Sequence, residues 1–155
     1  MEVALMKRVA ALEAQVAALQ KANKEAYNSD VVYNTKDTFG YAQLVEVTGG
    51  KILFLSGMTP WDQQMTLKSV NLVEQMEATL DNILKLLAAK GLGPESLAFL
   101  RVYVAKPNYY EEMNNFSTTL EKKLGASITC GITLVGVTGL AEPNQLVEIE
   151  AVAVT

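Results

Sequence analysis

Beyond residue 40 the spacing of apolar residues switches repeatedly between about two and about 3.6, and the order of those switches leaves few architectures open. Tyr41-Ala-Gln-Leu-Val-Glu-Val47 alternates, Gly49-Gly50 interrupts it, and Ile52-Leu-Phe-Leu-Ser56 follows as an apolar run. This predicts two strands joined by a tight turn. After the break Gly57-Met-Thr-Pro60-Trp61, a helix is expected from Ser69, with Leu72, Val73, Met76, Leu80, Ile83, Leu84 and Leu87 on one face, stopped by Gly91-Leu-Gly93-Pro94. Next come a strand from Leu97 to Ala105, closed by Pro107, and a helix from Tyr109 to Leu124 with Met113, Phe116 and Leu120 aligned. Two further strands, Ile128 to Val137 and Leu146 to Val154, flank a loop containing Gly139 and Pro143. The expected fold is α+β, with five or six strands in a mixed sheet and two helices over one face. Ile, Leu and Val occupy both phases of the last strands, so the second face is expected to be covered by another subunit.

The N-terminal segment obeys a different rule. Residues 3 to 26 contain no Gly or Pro, and Leu5, Val9, Leu12, Val16 and Leu19 recur with the period of about 3.5 that makes a coiled-coil seam. The heptad Val9-Ala-Ala-Leu-Glu-Ala-Gln15 is nearly repeated by Val16-Ala-Ala-Leu-Gln-Lys-Ala22, and Asn23 and Ala26 continue the seam. Such duplication resembles an appended or engineered segment. A helix of this length is marginal alone in water, so a partner must bury its stripe. Self-association is favoured over membrane binding, because the opposite face carries Ala and Gln rather than Lys and Arg. Val and Leu alternating along the seam lean towards two strands. The division expected is a heptad helix over 1–27 and a globular domain over 28–155.

Composition narrows the chemistry. A net charge of -4, with no clustering of Lys and Arg, argues against a nucleic-acid partner. The absence of His and the single Cys remove the usual ligands of a structural or catalytic zinc, so no metal site is expected. No run of about eighteen apolar residues and no secretory signal pattern are present, and the expectation is a soluble, cytoplasmic protein without a membrane partner.

Several short segments then point one way. Gly40-Tyr41 near the first strand, Leu55-Ser56-Gly57, a helix ending before Gly91-Leu92, Val102-Tyr103-Val104, and above all the closing Val147-Glu-Ile-Glu-Ala-Val-Ala-Val154 resemble the RidA/YjgF/YER057c/UK family. The resemblance spans the globular domain and leaves the heptad helix without a counterpart. It implies a chorismate-mutase-like fold, a homotrimer with small-molecule clefts between subunits, no cofactor, and, in the active members, hydrolysis of enamines and imines. It also implies cleft positions for Tyr41, Ser56, Asn114 and Glu148. Where the deaminating members carry a carboxylate-binding arginine, the resemblance places Ile132, and an aliphatic side chain cannot replace a bidentate guanidinium. Cys130 and Leu134 are in phase with Ile132 and would line the ligand with it if that strand faces the cleft. Arg101, in phase with Tyr103, is a candidate for a displaced anion contact.

Each of these residues also has a plain reading. Glu148 and Glu150 share one side of a strand by alternation alone, Ser56 is a strand-end hydroxyl, Asn114 sits beside Asn115 on a helix, and Cys130 has the profile of a small buried hydrophobe. Three functions therefore stand open: a Rid-like trimer that binds small molecules but lacks standard 2-imino-acid deaminase activity; an imine or enamine hydrolase working through Glu148 and a cleft water, with Tyr41 or Ser56 nearby; and a trimeric scaffold.

Overall fold

The computed structural model describes residues 2–29, 31–32, 35–125 and 129–155. The heptad segment forms helix α1 (Glu2–Gln20), and its stripe is uncovered, from Val9 at 45% exposure to Leu19 at 76%. The seam stops earlier than its pattern suggests. Asn23 and Ala26 lie in strand β1 (Asn23–Tyr27), which pairs antiparallel with β2 (Leu44–Thr48) from Asn23↔Thr48 to Tyr27↔Leu44. The physical reason is local competition. The β1 backbone finds a complete ladder in β2, and the Lys24 ammonium donates to the Glu95 and Leu97 carbonyls, which fastens this segment to the domain. A short helix α2 (Thr35–Phe39) follows, within what reads as loop in the sequence.

The turn at Gly49-Gly50 is tight, as expected, but it does not make a hairpin. Strand β3 (Ile52–Met58) leaves β2 and pairs instead with β6 (Val147–Val154), in a sheet of order β3-β6-β4-β5. Backbone bonds between Lys51 and Thr155, 2.8 and 3.1 Å, extend that pairing to the chain's last residue. Both glycines are left-handed, with φ of 73° and 69°. A Cβ on Gly50 would sit 2.1 Å from the Thr155 carbonyl oxygen, so no other residue fits this crossing of β6, the turn and the start of β1.

In the larger sheet β4 (Leu97–Val104) runs antiparallel to β6 and parallel to β5 (Gly131–Gly136). Helix α3 (Leu72–Ala88) is capped by Asn71, whose side chain accepts from the Val73 and Glu74 amides. With α4 (Met113–Leu124), which a 3-10 turn at Tyr109–Glu112 precedes, it covers one face of the sheet. The core between the two layers is made by Met76, Leu80, Ile83, Phe116 and Leu120 from the helices and by Leu100, Val102, Ile149 and Ala151 from the strands. Ile128, expected to open the fifth strand, lies outside the described residues, as does the Met113 side chain. The opposite face of the sheet is bare in the single chain: Phe54 is 80% exposed and Ile52 is 60% exposed.

Candidate functional site

Strict alternation along β6 decides where its carboxylates go. Val147, Ile149, Ala151 and Ala153 are buried under the helices, so Glu148, Glu150 and Val152 turn to the bare face. Glu148 is half-buried there. The Gln145 side-chain amide donates to its Oε2 and to the Val147 carbonyl, each at 3.2 Å. Gln145 itself is buried, and its Oε1 has no hydrogen-bond partner among the described residues, an acceptor left free beside the carboxyl group.

Two features hold this arrangement. The buried Gln75 of α3 donates to the Ser69 and Asn144 carbonyls and accepts from the Leu146 amide at 2.7 Å, so the loop carrying Gln145 is pinned to the helix. Gly57 makes room: a Cβ there would stand 1.9 Å from Glu148 Oε1, so only glycine lets the carboxyl group lie over β3. A bulge in the β3–β6 pairing between Leu55 and Met58 falls at the same place. Ser56, exposed and one residue away, opens onto a shallow depression of about 370 Å³ with Phe54, Phe99, Arg101, Glu150 and Val152.

Arg101 is engaged within that depression. Its guanidinium pairs with Glu150 at 2.9 Å, and the Tyr103 hydroxyl donates to the same carboxylate oxygen at 3.0 Å. Hydrogen bonding to Tyr103 and then to Glu150 raises its pKa further, and Phe99 lies under it at 5.9 Å.

The other expected site residues fall elsewhere. Tyr41 stacks on Phe39 next to Ala42, whose amide donates to the Cys130 carbonyl at the start of β5. That is the far end of the sheet: Gly131 aligns with Phe99 and Glu148 with Tyr103, four residues along β4, roughly 13 Å at 3.3 Å per residue. Asn114 is on the exposed side of α4, while Phe116, Thr119 and Leu120 turn inward. Cys130 and Ile132, candidates to face a ligand if their strand lines a cleft, lie on the helix side of the sheet in the single chain. They belong to the core under the helices, 2% and 8% exposed, on the face opposite Glu148, because β5 pairs in parallel with β4 and shares its inward phase. Leu134 is on that side too, lining a cavity of about 20 Å³ with Val104, Tyr109 and Phe116, too small for more than a water. Burial pushes the Cys130 thiol up to about 11, which keeps it protonated and unreactive near neutrality.

Gln145, Gln75 and Gly57 are not singled out by sequence pattern. The one available signal is Gln75, a polar residue inside the apolar stripe Leu72, Met76, Leu80. Among the described residues no group of three His, Cys, Asp or Glu side chains could hold a metal ion, and no helix is long and apolar enough to cross a membrane.

Comparison with known proteins agrees with this fold. The sequence model of the family described as endoribonuclease L-PSP matches residues 34–155. The crystal structure of YyfB from Yersinia pestis, a protein of unknown function of the conserved Rid family, is similar with a TM-score of 0.78 and 26% identity, over 86% of this chain and 99% of that one. A member of the YjgF/YER057c/UK114 family from Mycobacterium tuberculosis is similar in fold, with a TM-score of 0.55 and 22% identity over 86% and 100% of the two chains. A YjgF-family protein from Neisseria meningitidis is similar to the same extent, at 0.57 and 23% over 86% and 95%. No curated protein sequence gives a match. The mixed sheet under two helices is the chorismate-mutase-like fold of these structures, and the chain belongs to the Rid/YjgF family.

Proposed function

We propose that this chain is a Rid-type protein that assembles as a homotrimer, with small-molecule clefts between copies and with α1 helices associating, and that it lacks standard 2-imino-acid deaminase activity. The observation that carries the reading is the spending of its cations. The chain has two arginines; Arg8 is on α1 and Arg101 is paired with Glu150, so no free guanidinium stands near Glu148. Losing a bidentate, desolvated partner for a substrate carboxylate costs about 2 to 5 kcal/mol. Ile132 adds nothing on the Glu148 side of its own chain, since an arginine placed there would be enclosed in the core. The distance between Tyr41 and Glu148 supports a cleft built from two copies, each contributing one end of its sheet.

The Gln145–Glu148 pair favours a second reading, hydrolysis of imines that carry no carboxylate. A water held by Glu148 would add to the C=N carbon, its proton passing through the carboxyl group to the nitrogen; the hydroxyl proton of the resulting amino alcohol would follow the same route, and ammonia would leave as the C–N bond breaks and the C=O bond forms. Both readings are tested by following ammonia release from freshly generated 2-aminoacrylate and from a carboxylate-free imine, with the native chain and Glu148→Ala. The expected result is no turnover of 2-aminoacrylate above the uncatalysed rate. Glu148-dependent turnover of it sinks the first reading; absence of Glu148-dependent turnover of the second substrate sinks the other.

A further inference from the structure

We infer that α1 binds α1 of further copies of this chain in parallel and in register, and that one ion pair, Arg8 with Glu13 of the neighbouring copy, sets that orientation. The inference rests on the self-association proposed above and adds its direction. Leu5, Val9, Leu12, Val16 and Leu19 are spaced four, three, four and three along the helix and are all between 45% and 76% exposed, so the whole seam is open to a partner. The domain of the same chain does not cover it: α1 leaves through Lys21 and Ala22 into β1, where the crossing at Gly49 and Gly50 holds only the last turn of the helix.

Charge then chooses the partner's direction. With Val at a and Leu at d, Arg8 falls at g and Glu13 at e of the following heptad, the positions that face each other across a parallel seam. Gln15 at g and Gln20 at e make the next such pair, two amides able to hydrogen-bond. In an antiparallel pair g lies beside g and e beside e, so Arg8 would meet Gln15 or another Arg8, and Glu13 would meet Met6, Gln20 or another Glu13. Opposite charges meet only in the parallel arrangement. Lys7 is at the outward f position; the other charge on the seam is Glu2, at a in the first residue of α1, where a parallel seam brings like charges together and the Arg8–Glu13 pair must outweigh them. Neither Arg8 nor Glu13 has an ion-pair partner among the described residues of its own chain. A parallel seam also matches the domain's requirement, because copies related by one rotation axis send their N-terminal helices out on the same side.

The full chain carrying Leu5→Cys, the full chain carrying Val16→Cys, and a refolded mixture of the two are oxidised and run on a non-reducing gel. Cys130 is buried and does not compete for the introduced thiols. Each variant alone is expected to cross-link to itself, with no mixed product, and Arg8→Glu added to Leu5→Cys is expected to lower the linked fraction several-fold until Glu13→Arg restores it. A mixed product with little self-linking overturns the parallel orientation while leaving self-association standing. No link in any sample, with unchanged assembly of the Val9→Asp chain in sedimentation, overturns self-association of α1 itself and leaves the cleft reading untouched. Linking that is insensitive to Arg8→Glu overturns the ion pair as the orienting contact.

Discussion

At the scale of single residues, the position of Glu148 follows from alternation, but what surrounds it does not. Its place on the outward phase of the final strand is readable from Val147-Glu-Ile-Glu-Ala. The contacts that hold it come from residues far away in the chain, Gly57 beneath and Gln75 behind Gln145. Gly57→Ala should push the carboxyl group out of position at little cost in stability, because the atoms it meets are the far end of the flexible Glu148 side chain. It should also abolish any Glu148-dependent turnover, measured by ammonia release beside denaturant titration; normal turnover would show that the close approach is not needed. Cys130 offers a pH test. Because burial raises its thiol from an ordinary 9.0 to about 11, the folded chain keeps a proton that the unfolded chain loses. The associated stability is full below pH 9 and is lost as pH rises through 11, amounting to roughly 2 to 3 kcal/mol. The neighbouring Lys24, whose pKa burial lowers, works against the thiol's rise. Stability of the native chain relative to Cys130→Ala, measured from pH 8 to 11, should therefore decline; a flat difference would refute the buried thiol's role.

At the scale of elements, β6 is legible to within one residue and α3 to within about one turn, because each carries a long single period and a clear stop. The N-terminal boundary is not. The heptad period runs on through Asn23 and Ala26 as a pattern, yet those residues form β1, since a five-residue ladder with β2 satisfies their backbone better than another turn of exposed helix would. The Gly49-Gly50 turn is visible in the sequence but the hairpin it suggests does not form, because a turn specifies local direction and not which strand each arm will meet. Gly50→Ala tests the crossing: with φ of 69° and the Thr155 carbonyl in the way, it should destabilise by more than about 1 kcal/mol in thermal or denaturant unfolding. A neutral effect would mean that the C-terminal end of β6 moves aside at no cost.

At the scale of the whole molecule, a sheet covered on one side leaves Ile52 and Phe54 bare beside the Arg101–Glu150 pair. This apolar face is the surface we propose for assembly. Phe54→Asp should reduce the assembled fraction in sedimentation at micromolar concentration while leaving the helical signal in place; unchanged assembly would move the interface elsewhere. Period and phase along the chain were enough to establish an α+β domain, its two covering helices, the outward side of β6 and a helix near the N-terminus, because these depend on neighbours within a few residues. Partner strands, the helix-side burial of Cys130 and Ile132, the distance of Tyr41 from Glu148 and the Gln75–Gln145 support were settled only by the tertiary structure. They arise from pairings between segments tens of residues apart, and a one-dimensional period states which residues share a face without stating what that face will meet.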